Sequence, residues 1–426
     1  MLVAIFIGLL LVLFLIGVAV PYALIGTAIV GMIYSGSFGL AQMGTVSMKV
    51  ISGVNSFTLL AIPFFLLAGK LMNVGSITNR IFTFCNALAG WIPGGLAQVN
   101  ILASVVFAGM SGSAVADAAG LGTIEIKAME DEGFDTDFSA GITAASATVG
   151  PIIPPSIPLV MFGCAGGVSI AKLLVGGILP GVTCAITVGI MVAVIAIRRG
   201  YPRRKFPTLK EIVHLFGKAF LALLTPVILI GGILGGVFTA TEAAAVASLY
   251  ALLLMTILYR EVSMKQVIET GREVCREAAS IMLVVASSTI YGYVITKFQI
   301  PTMVLDFFVS ISDNRYVFLL LVNIFLLLVG CFMDSTAAIL ILTPIILPAA
   351  TSFGINPVHF GLIMVFNLMI GLLTPPVGMC LYATARVANI SFERMVKGVA
   401  PFYLPLAVTQ ILIVLVPQLT LCLVGD

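Results

Sequence analysis

The stretch Gly-Pro-Ile-Ile-Pro-Pro-Ser at 150–156 decides the fold of this chain, because it returns as Gly-Leu-Leu-Thr-Pro-Pro at 371–376, 221 residues further on. Both copies lie within long apolar runs. Proline has no backbone N–H and its ring clashes with the carbonyl four residues back, so Gly followed by Pro-Pro cannot stay helical. The sequence therefore predicts two broken helices at equivalent positions of a duplicated chain.

The same offset relates many other positions in the two halves. Ser113 falls on Asp334, and the apolar runs stay in phase without a gap. Seven glycine or proline pairs coincide, namely Gly109/Gly330, Gly133/Gly354, Gly150/Gly371, Gly177/Gly398, Pro154/Pro375, Pro155/Pro376 and Pro180/Pro401. Chance among 42 glycines and 20 prolines is a poor explanation of seven matches at one offset.

The composition indicates an integral membrane protein. Of 426 residues, 60% are hydrophobic and 9% are charged, whereas soluble domains carry about 25% charged residues. The apolar runs suit helices that cross a hydrocarbon core of about 30 Å. The net charge of +3 gives no indication of nucleic-acid binding, and the two histidines and seven cysteines form no metal-binding motif.

We predict an all-α polytopic membrane protein made of two inverted-topology repeats, each with five spans and one re-entrant hairpin. The first repeat covers 1–197 and the second 219–426, joined by a basic linker at 198–218. The hairpins cover about 94–128 and about 316–349, and the two apolar arms of the first hairpin, of about 14 residues each, are too short to span alone. The predicted spans are 2–20, 21–38, 54–73, 137–165, 171–197, 219–238, 242–259, 278–297, 356–385 and 400–421.

The distribution of basic residues predicts the orientation of these spans. With both termini on the outer side of the membrane, 17 of the 21 Lys and Arg residues are cytoplasmic. The exceptions are Lys49, Lys172, Lys297 and Arg315. An odd number of spans per half then requires the second half to lie upside down, an arrangement typical of secondary transporters.

The hairpin tips and the helix breaks are the predicted binding site. A break frees backbone carbonyls, which together with Ser and Thr hydroxyls suit a hard cation such as sodium. Half-helix N-termini at the same depth suit a carboxylate. One Gly-Pro-Pro motif could equally be a simple kink, but two at equivalent positions beside polar tips favour a site for an organic anion coupled to sodium.

Three acidic residues have separate predictions. Asp334, between apolar stretches, would be expensive in the membrane and needs a cation partner, and it can also cap the helix that begins at Ser335. Asp117 either faces the same site or caps its arm. Glu242 is predicted to have a structural role at the start of a helix. The acidic run 130–137 is predicted to be a solvated cytoplasmic turn. Trp91 is predicted to be an interfacial anchor.

The sequence resembles the large membrane subunit of tripartite ATP-independent periplasmic (TRAP) transporters over essentially its whole length. The similarity lies in Gly-Ser-Ala-Val-Ala-Asp at 112–117, the acidic turn, the run through 150–156, Phe-Met-Asp-Ser-Thr at 332–336, Thr-Pro-Pro-Val-Gly at 374–378 and Thr-Ala-Thr-Glu at 239–242. The resemblance is greatest to stand-alone large subunits of the sialic-acid type.

The resemblance implies sodium-driven, ATP-independent uptake of a carboxylate, either sialic acid or a C4-dicarboxylate, by an elevator mechanism in the bacterial inner membrane. A transport domain that holds both hairpins and both broken spans would slide against a scaffold. The implied partners are a small four-helix membrane subunit, expected as a separate chain, and a periplasmic substrate-binding protein. The protein is expected to be a transporter rather than an enzyme, and no Walker-type phosphate loop is present.

The resemblance also implies site residues, carried over position by position. One sodium ion is expected near Ser111, Ser113, Gly150 and Ile153. A second is expected near Gly330, Asp334, Gly371 and Thr374. The substrate is expected between the tips, near Ser113, Ser156, Asp334 and Ser335.

Three alternatives differ in what they require. A self-sufficient sodium-coupled organic anion carrier would need no binding protein. An intramembrane enzyme would need a nucleophile–base pair or a set of metal ligands, for which two separate histidines offer little. A channel is disfavoured because two broken, pseudo-symmetric hairpins are typical of alternating access.

Overall fold

The chain folds into helices throughout the part that the computed structural model describes, which is residues 2–34, 40–73 and 77–424. Its α-helices are, in chain order, α1 (Leu2–Leu15), α2 (Val20–Tyr34), α3 (Leu40–Val54), α4 (Ala61–Asn73), α5 (Ile77–Ala89), α6 (Gly95–Ser111), α7 (Ala114–Asp131), α8 (Thr136–Ala147), α9 (Ile157–Gly166), α10 (Ile170–Gly176), α11 (Ile178–Arg199), α12 (Leu209–Leu234), α13 (Ala240–Leu253), α14 (Met264–Lys297), α15 (Ile300–Ile311), α16 (Arg315–Phe332), α17 (Ser335–Ser352), α18 (Pro357–Gly371), α19 (Met379–Val387), α20 (Phe392–Val399), α21 (Tyr403–Leu415) and α22 (Gln418–Leu421). The predicted all-α class is confirmed.

Many of these helices are suited to a membrane. Within the described ranges, seven are long and apolar enough to span it, and up to nine if each sharply bent pair is one span. One bent pair joins Thr136–Ile152 to Ile157–Gly166 at 42° and contains the first predicted break. The other joins Gly44–Val54 to Phe57–Asn73 at 51°, so the predicted span 54–73 begins at a bend that the sequence did not indicate. Part of the predicted span 21–38 lies outside the described residues.

The hairpin arms are longer than predicted. The turn at Gly112–Ser113 separates α6 from α7, and the turn at Met333–Asp334 separates α16 from α17. The four arms have 17 or 18 residues each, so the estimate of about 14 for the arms of the first hairpin was wrong. That estimate followed the apolar stretches alone, whereas α7 continues into the acidic run.

Several helices also extend into charged segments, which was not predicted from the sequence. The predicted linker 198–218 is irregular only between α11 and α12, because the Thr208 hydroxyl accepts from the Glu211 N–H at 3.3 Å and starts α12 early. The predicted span 278–297 begins 14 residues earlier, at a capping box of Ser263 and Gln266. Helices α3, α5 and α15 were not predicted. Their amphipathic or short apolar patterns fall below the length that a span requires.

Equivalent helices of the two halves occupy the same register. Helices α7 and α17 both begin and end 221 residues apart, and so do the first residues of α8 and α18. Both Pro-Pro bonds, at 154–155 and at 375–376, are cis. Whether the second half is inverted in a membrane, and whether the repeats end at the predicted boundaries, remain predictions.

Helices of each half pack against helices of the other half. Helix α4 packs on α13, while its counterpart α14 packs on α2. The second arm of each hairpin packs on the far segment of the other half's broken helix: α7 on α19, and α17 on α9. Every residue of α18 after Pro357 is buried. The two broken helices therefore form the centre of the molecule, while exposed apolar residues such as Ile190 on α11 and Leu320 on α16 face outward.

Candidate functional site

The first hairpin tip lies against the first helix break. Gly112 has a φ of 60°, and a Cβ built there would be 3.2 Å from both the Pro155 carbonyl oxygen and the Ile157 nitrogen. Only glycine combines this left-handed backbone with such a close approach. The next residue, Ser113, accepts from the Ala116 N–H at 3.4 Å and so caps the N-terminus of α7. The tip is thus a helix N-terminus held against a broken helix.

The second tip repeats this arrangement with a carboxylate. Asp334, the counterpart of Ser113, accepts from the N–H groups of Thr336 at 2.9 Å and Ala337 at 3.4 Å. This confirms the predicted capping role. The Cys331 carbonyl accepts from the Gly378 N–H at 3.1 Å, which joins this tip to the second break. Asp334 is only partly buried, so its charge keeps access to the adjoining space.

Two glycines bring the second hairpin and its broken helix into backbone contact. A Cβ built on Gly371 would lie 2.6 Å from the Gly330 Cα, and one built on Gly330 would lie 3.0 Å from the Gly371 Cα. Thr374 donates its N–H to the Gly371 carbonyl and its hydroxyl to the Ile370 carbonyl, both at 2.9 Å. The structure therefore places three of the four residues predicted for the second sodium ion around one helix break, with Asp334 in the turn four residues after Gly330.

The first predicted sodium group is described less fully. The Ser111 side chain lies outside the described residues. Gly150 begins a short 3₁₀ turn, and Ile153 follows that turn in extended conformation. Ile153 is buried and packs on Gly181 of α11. In the described ranges no group of three His, Cys, Asp or Glu side chains could hold a metal ion.

A cavity of about 750 Å³ lies between the two tips, the C-terminal end of α4 and the middle of α14. Three predicted substrate residues line it, namely Ser113, Asp334 and Ser335. Lys70 and Arg276 line the opposite wall. Lys70 Nζ pairs with Glu277 at 2.7 Å and with Glu273 at 3.0 Å, so much of its charge is already balanced. Both cationic residues belong to the end that the basic-residue distribution predicts to be cytoplasmic.

Ser156 does not reach this cavity. Its side chain is fully buried, its hydroxyl donates to the Pro151 carbonyl, and it accepts from the Leu159 N–H at 3.2 Å. In this structure Ser156 caps α9, and its contact with substrate stays a prediction. The sequence could have indicated this, because Ser followed by Ile-Pro is a typical helix start.

A second cavity, of about 680 Å³, opens where the starts of α10 and α13 meet the C-terminal end of α9. Its polar lining consists of hydroxyls, from Ser56, Thr58, Ser169, Thr239, Thr241, Ser288 and Thr289. Helices α14 and α17 border both cavities, with Leu340 on this side and Asp334 on the other. The two spaces are thus separated by elements that carry the second hairpin.

Two buried polar networks brace the hairpins and were missed in the sequence. In the first half, Asn100 of α6 donates to the Thr143 hydroxyl at 2.8 Å and accepts from Ser146 of α8. In the second half, Asn323 of α16 accepts from Asn367 of α18 at 2.7 Å and from Gln410 of α21. Ser146 and Asn367 are equivalent in the repeat. Isolated amides within apolar runs were the available signal, because such groups need partners when buried.

The remaining acidic predictions have mixed outcomes. Glu242 forms a capping box with Thr239, as expected of a structural residue. The N-cap of α7 is Ser113, and Asp117 lies in the first turn with its side chain buried. Trp91 is partly exposed and its indole N–H donates to the Leu88 carbonyl at 2.8 Å.

The acidic run is ion-paired rather than merely solvated. Arg199 pairs with Asp135 at 2.9 Å, while Arg204 pairs with Glu132 and Arg394 with Asp137. The Tyr201 hydroxyl donates to Asp135, and burial, followed by this hydrogen bond, raises the pKa of Tyr201. The phenol therefore stays a proton donor at neutral pH, and the linker is fastened to the start of α8.

An all-helical membrane architecture with a cavity between two equivalent hairpin tips defines the chain as a polytopic transport protein. It belongs to the family described as the tripartite ATP-independent periplasmic transporter, DctM component, whose model matches residues 7–419. The predicted resemblance is confirmed, and so is the prediction of a multi-pass transporter rather than an enzyme. Large permeases of such transporters act in the inner membrane.

Curated relatives cover nearly the whole chain. It is 45% identical over 414 residues to the Vibrio cholerae sialic acid TRAP transporter large permease SiaM, which covers 96% of this chain and 95% of that protein. It is 37% identical to the Escherichia coli 2,3-diketo-L-gulonate large permease YiaN, covering 98% of each chain. It is 36% identical to the Pseudomonas aeruginosa C4-dicarboxylate large permease DctM, covering 91% of this chain and 90% of that one.

A solved structure shares the fold at low sequence identity. The Alcanivorax borkumensis YdaH transporter superposes with a TM-score of 0.68 over 91% of each chain, at 12% identity. That structure is described as having an unusual topology. At this identity the likeness concerns the fold alone.

Proposed function

We propose that this chain is the subunit that carries an organic acid, with sialic acid as the first candidate, through a sodium-driven TRAP transporter. The three relatives above are named for sialic acid, 2,3-diketo-L-gulonate and C4-dicarboxylates. All of these substrates carry a carboxylate, and the relative named for sialic acid is the most similar of the three. The partners are a small four-helix membrane subunit and a periplasmic binding protein that delivers the substrate.

The observation that carries this proposal is the convergence of the tips on one cavity. Ser113 and Asp334 are equivalent in the repeat, each caps the second arm of its hairpin, and both line the 750 Å³ cavity. The positive ends of α7 and α17 therefore point toward the same space, which favours a bound carboxylate. The hydroxyls of Ser113 and Ser335 supply neutral hydrogen bonds to the remaining polar groups of the substrate.

Sodium ions are proposed to bind behind the tips, at the helix breaks. The first site uses Ser111, Ser113, Gly150 and Ile153, and the second uses Gly330, Asp334, Gly371 and Thr374. Prolines at 154–155 and 375–376 have no N–H to donate, so carbonyls preceding them by one turn lack the usual helical partner. Such oxygens, with one carboxylate at the second site, suit a hard monovalent cation.

The proposed movement is an elevator. The two hairpins and both broken helices would move as one body, because each hairpin's second arm packs on the broken helix of the other half. The cavities of about 680 and 750 Å³ lie on the two sides of this body. Displacement of the body relative to α4, α13 and α14 would close one cavity while it widens the other.

Reconstitution tests the proposal. The chain would be purified with its small subunit and placed in proteoliposomes, and uptake of labelled sialic acid would be measured with and without an inward sodium gradient and with and without the binding protein. Uptake that requires both supports the tripartite, sodium-driven assignment. Sodium-driven uptake without the binding protein would instead identify a self-sufficient carrier. If sialic acid fails and a C4-dicarboxylate is taken up, the substrate assignment is wrong and the carrier assignment holds.

A further inference from the structure

We propose that Glu125, on the second arm of the first hairpin, is a proton-binding site that controls the packing of α7. The carboxyl holds a proton while α7 is packed in the protein. Loss of this proton to the adjoining aqueous side destabilises the packed arm and slows the carrier. The inference concerns the arm rather than the tip, and it does not depend on which substrate or coupling ion is used.

Glu125 is buried without full hydrogen bonding. The residue is 2% exposed, and its Oε1 atom has no hydrogen-bond partner in the described part of the chain. An ionised carboxylate in such surroundings loses its hydration without compensation, whereas the neutral acid loses far less. Acidic residues buried at membrane depth are rare for this reason and usually mark a function.

The charges around Glu125 also oppose its ionisation. Asp117 lies two turns earlier on the same face of α7, is itself buried, and acts on Glu125 with a charge of the same sign. The ionisable groups on α5, α6, α8 and α19, the helices that surround α7, are Arg80, Cys85, Asp137, Cys380, Arg386 and the exposed Tyr382. Arg80 pairs with Glu261 and Asp137 with Arg394, while Arg386 is exposed. On α5, the buried Cys85 thiol is near enough to Glu125 to interact with it electrostatically.

The position of Glu125 gives it a short route to water. Helix α7 ends six residues later, at Asp131, which is about 9 Å along the helix axis. The exposed Glu130 and the acidic turn follow at that end. Ser113 lies 12 residues in the other direction, about 18 Å away along the axis. Glu125 therefore sits between the tip and the end predicted to be cytoplasmic, where a proton can be exchanged as α7 shifts.

The pH dependence of the stability of α7 follows from the protonation state of Glu125 that the packed arm favours. Because the packed arm favours the neutral acid, the packed state is stable at low pH and loses stability as the pH rises. Uptake should then slow as the pH on the acidic-turn side rises, by up to about tenfold per pH unit, the limit for release of one proton. Glu125→Gln imitates the neutral acid in size and hydrogen bonding, so this variant keeps the arm packed at every pH.

The test uses Glu125→Gln with Glu130→Gln as the matched control on the same helix. Thermal unfolding of each purified protein would be followed from about pH 6 to about pH 9, and infrared difference spectra would be recorded for the carbonyl band of a protonated carboxyl. We expect Glu125→Gln to be more stable than the wild type at alkaline pH and to lack that carbonyl band. Glu130→Gln should match the wild type in both measurements.

Either of two results would overturn the inference. One is a parallel loss of stability with pH in the wild type and Glu125→Gln, and the other is the same carbonyl band in both. Neither measurement uses transport, so failure of this inference is distinct from failure of the proposed function. Uptake in proteoliposomes with the internal pH set independently would then show whether the pH effect on the arm reaches the carrier.

Discussion

Gly330 and Gly371 touch backbone to backbone, so that a methyl group placed on Gly371 would lie 2.6 Å from the Gly330 Cα. The contact joins the first arm of the second hairpin to its broken helix, directly beside the Asp334 tip. In each case the atom that would be met is main chain, which cannot rotate away. The tip can take this position because both residues are glycines, whose lack of a side chain allows the two backbones to touch.

Gly371→Ala should separate α16 from α18. Overpacking of this kind costs about 1–3 kcal/mol, and the displaced carbonyl should weaken sodium dependence as well. Thermal stability and the sodium concentration for half-maximal uptake are the measurements. Gly120→Ala is the control, because nothing lies within 4 Å of a Cβ at that helical position. An unchanged Gly371→Ala protein would mean that the close approach is not required.

Two variants of Asp334 should distinguish its proposed role in sodium binding from its role as the N-cap of α17. Asn retains the side-chain oxygen that accepts from the Thr336 N–H but removes the charge, so Asp334→Asn should fold and lose sodium-dependent uptake by about tenfold or more, given roughly 1.5–3 kcal/mol for a charged interaction. Asp334→Ala should also lose the cap, worth about 1 kcal/mol. Asp313→Asn, an exposed acid, is the control. Undiminished sodium-driven uptake by well-expressed Asp334→Ala would remove Asp334 from the site.

Asn323 should be a strong determinant of stability. Its side-chain oxygen accepts from both Asn367 and Gln410. Asn323→Leu therefore leaves the Asn367 amide donor without its partner, at about 1–3 kcal/mol, and leaves Gln410 with only its bond to the Ile363 carbonyl. The double variant Asn323→Leu with Asn367→Leu should lose less than the sum of the single variants, because it also removes the Asn367 donor. Thermal unfolding measures all three, with exposed Asn55→Leu for comparison. Additive losses would show that the amides act independently.

Tyr201 should protect the linker from proteolysis. Its ring packs 4.7 Å from that of Phe134 and 5.0 Å from that of Phe138, measured between ring centroids, and its hydroxyl binds Asp135. Tyr201→Ala should therefore release the segment that carries the exposed basic residues 203–205 and raise the rate of tryptic cleavage there. Tyr201→Phe keeps the ring and should have an intermediate rate. Equal rates in all three proteins would show that the ion pairs alone hold the linker.

Much of the site could be predicted because the breaks depend on local chemistry. Proline lacks a donor wherever it stands, so the breaks at 150–156 and 371–376 follow from composition, and the repeat then places Ser113 opposite Asp334. Ser156 illustrates the limit. A serine beside a break can face a cavity or cap the next helix, and only the position of the Pro151 carbonyl and the Leu159 N–H decides between them.

The sequence by itself determined the membrane class, the duplication and the capping of α13 and α17. Hydropathy and helix capping depend on residues close together in the chain, and the duplication is visible as a fixed offset between matching residues. The tertiary structure decided what depends on distant partners. It placed Lys70 between Glu273 and Glu277, tied the linker to the acidic turn, and buried Glu125 at 2% exposure. Burial and pairing arise from helices more than 60 residues apart in several of these cases, and the free energy of a charged group is set by those neighbours rather than by its own stretch of chain.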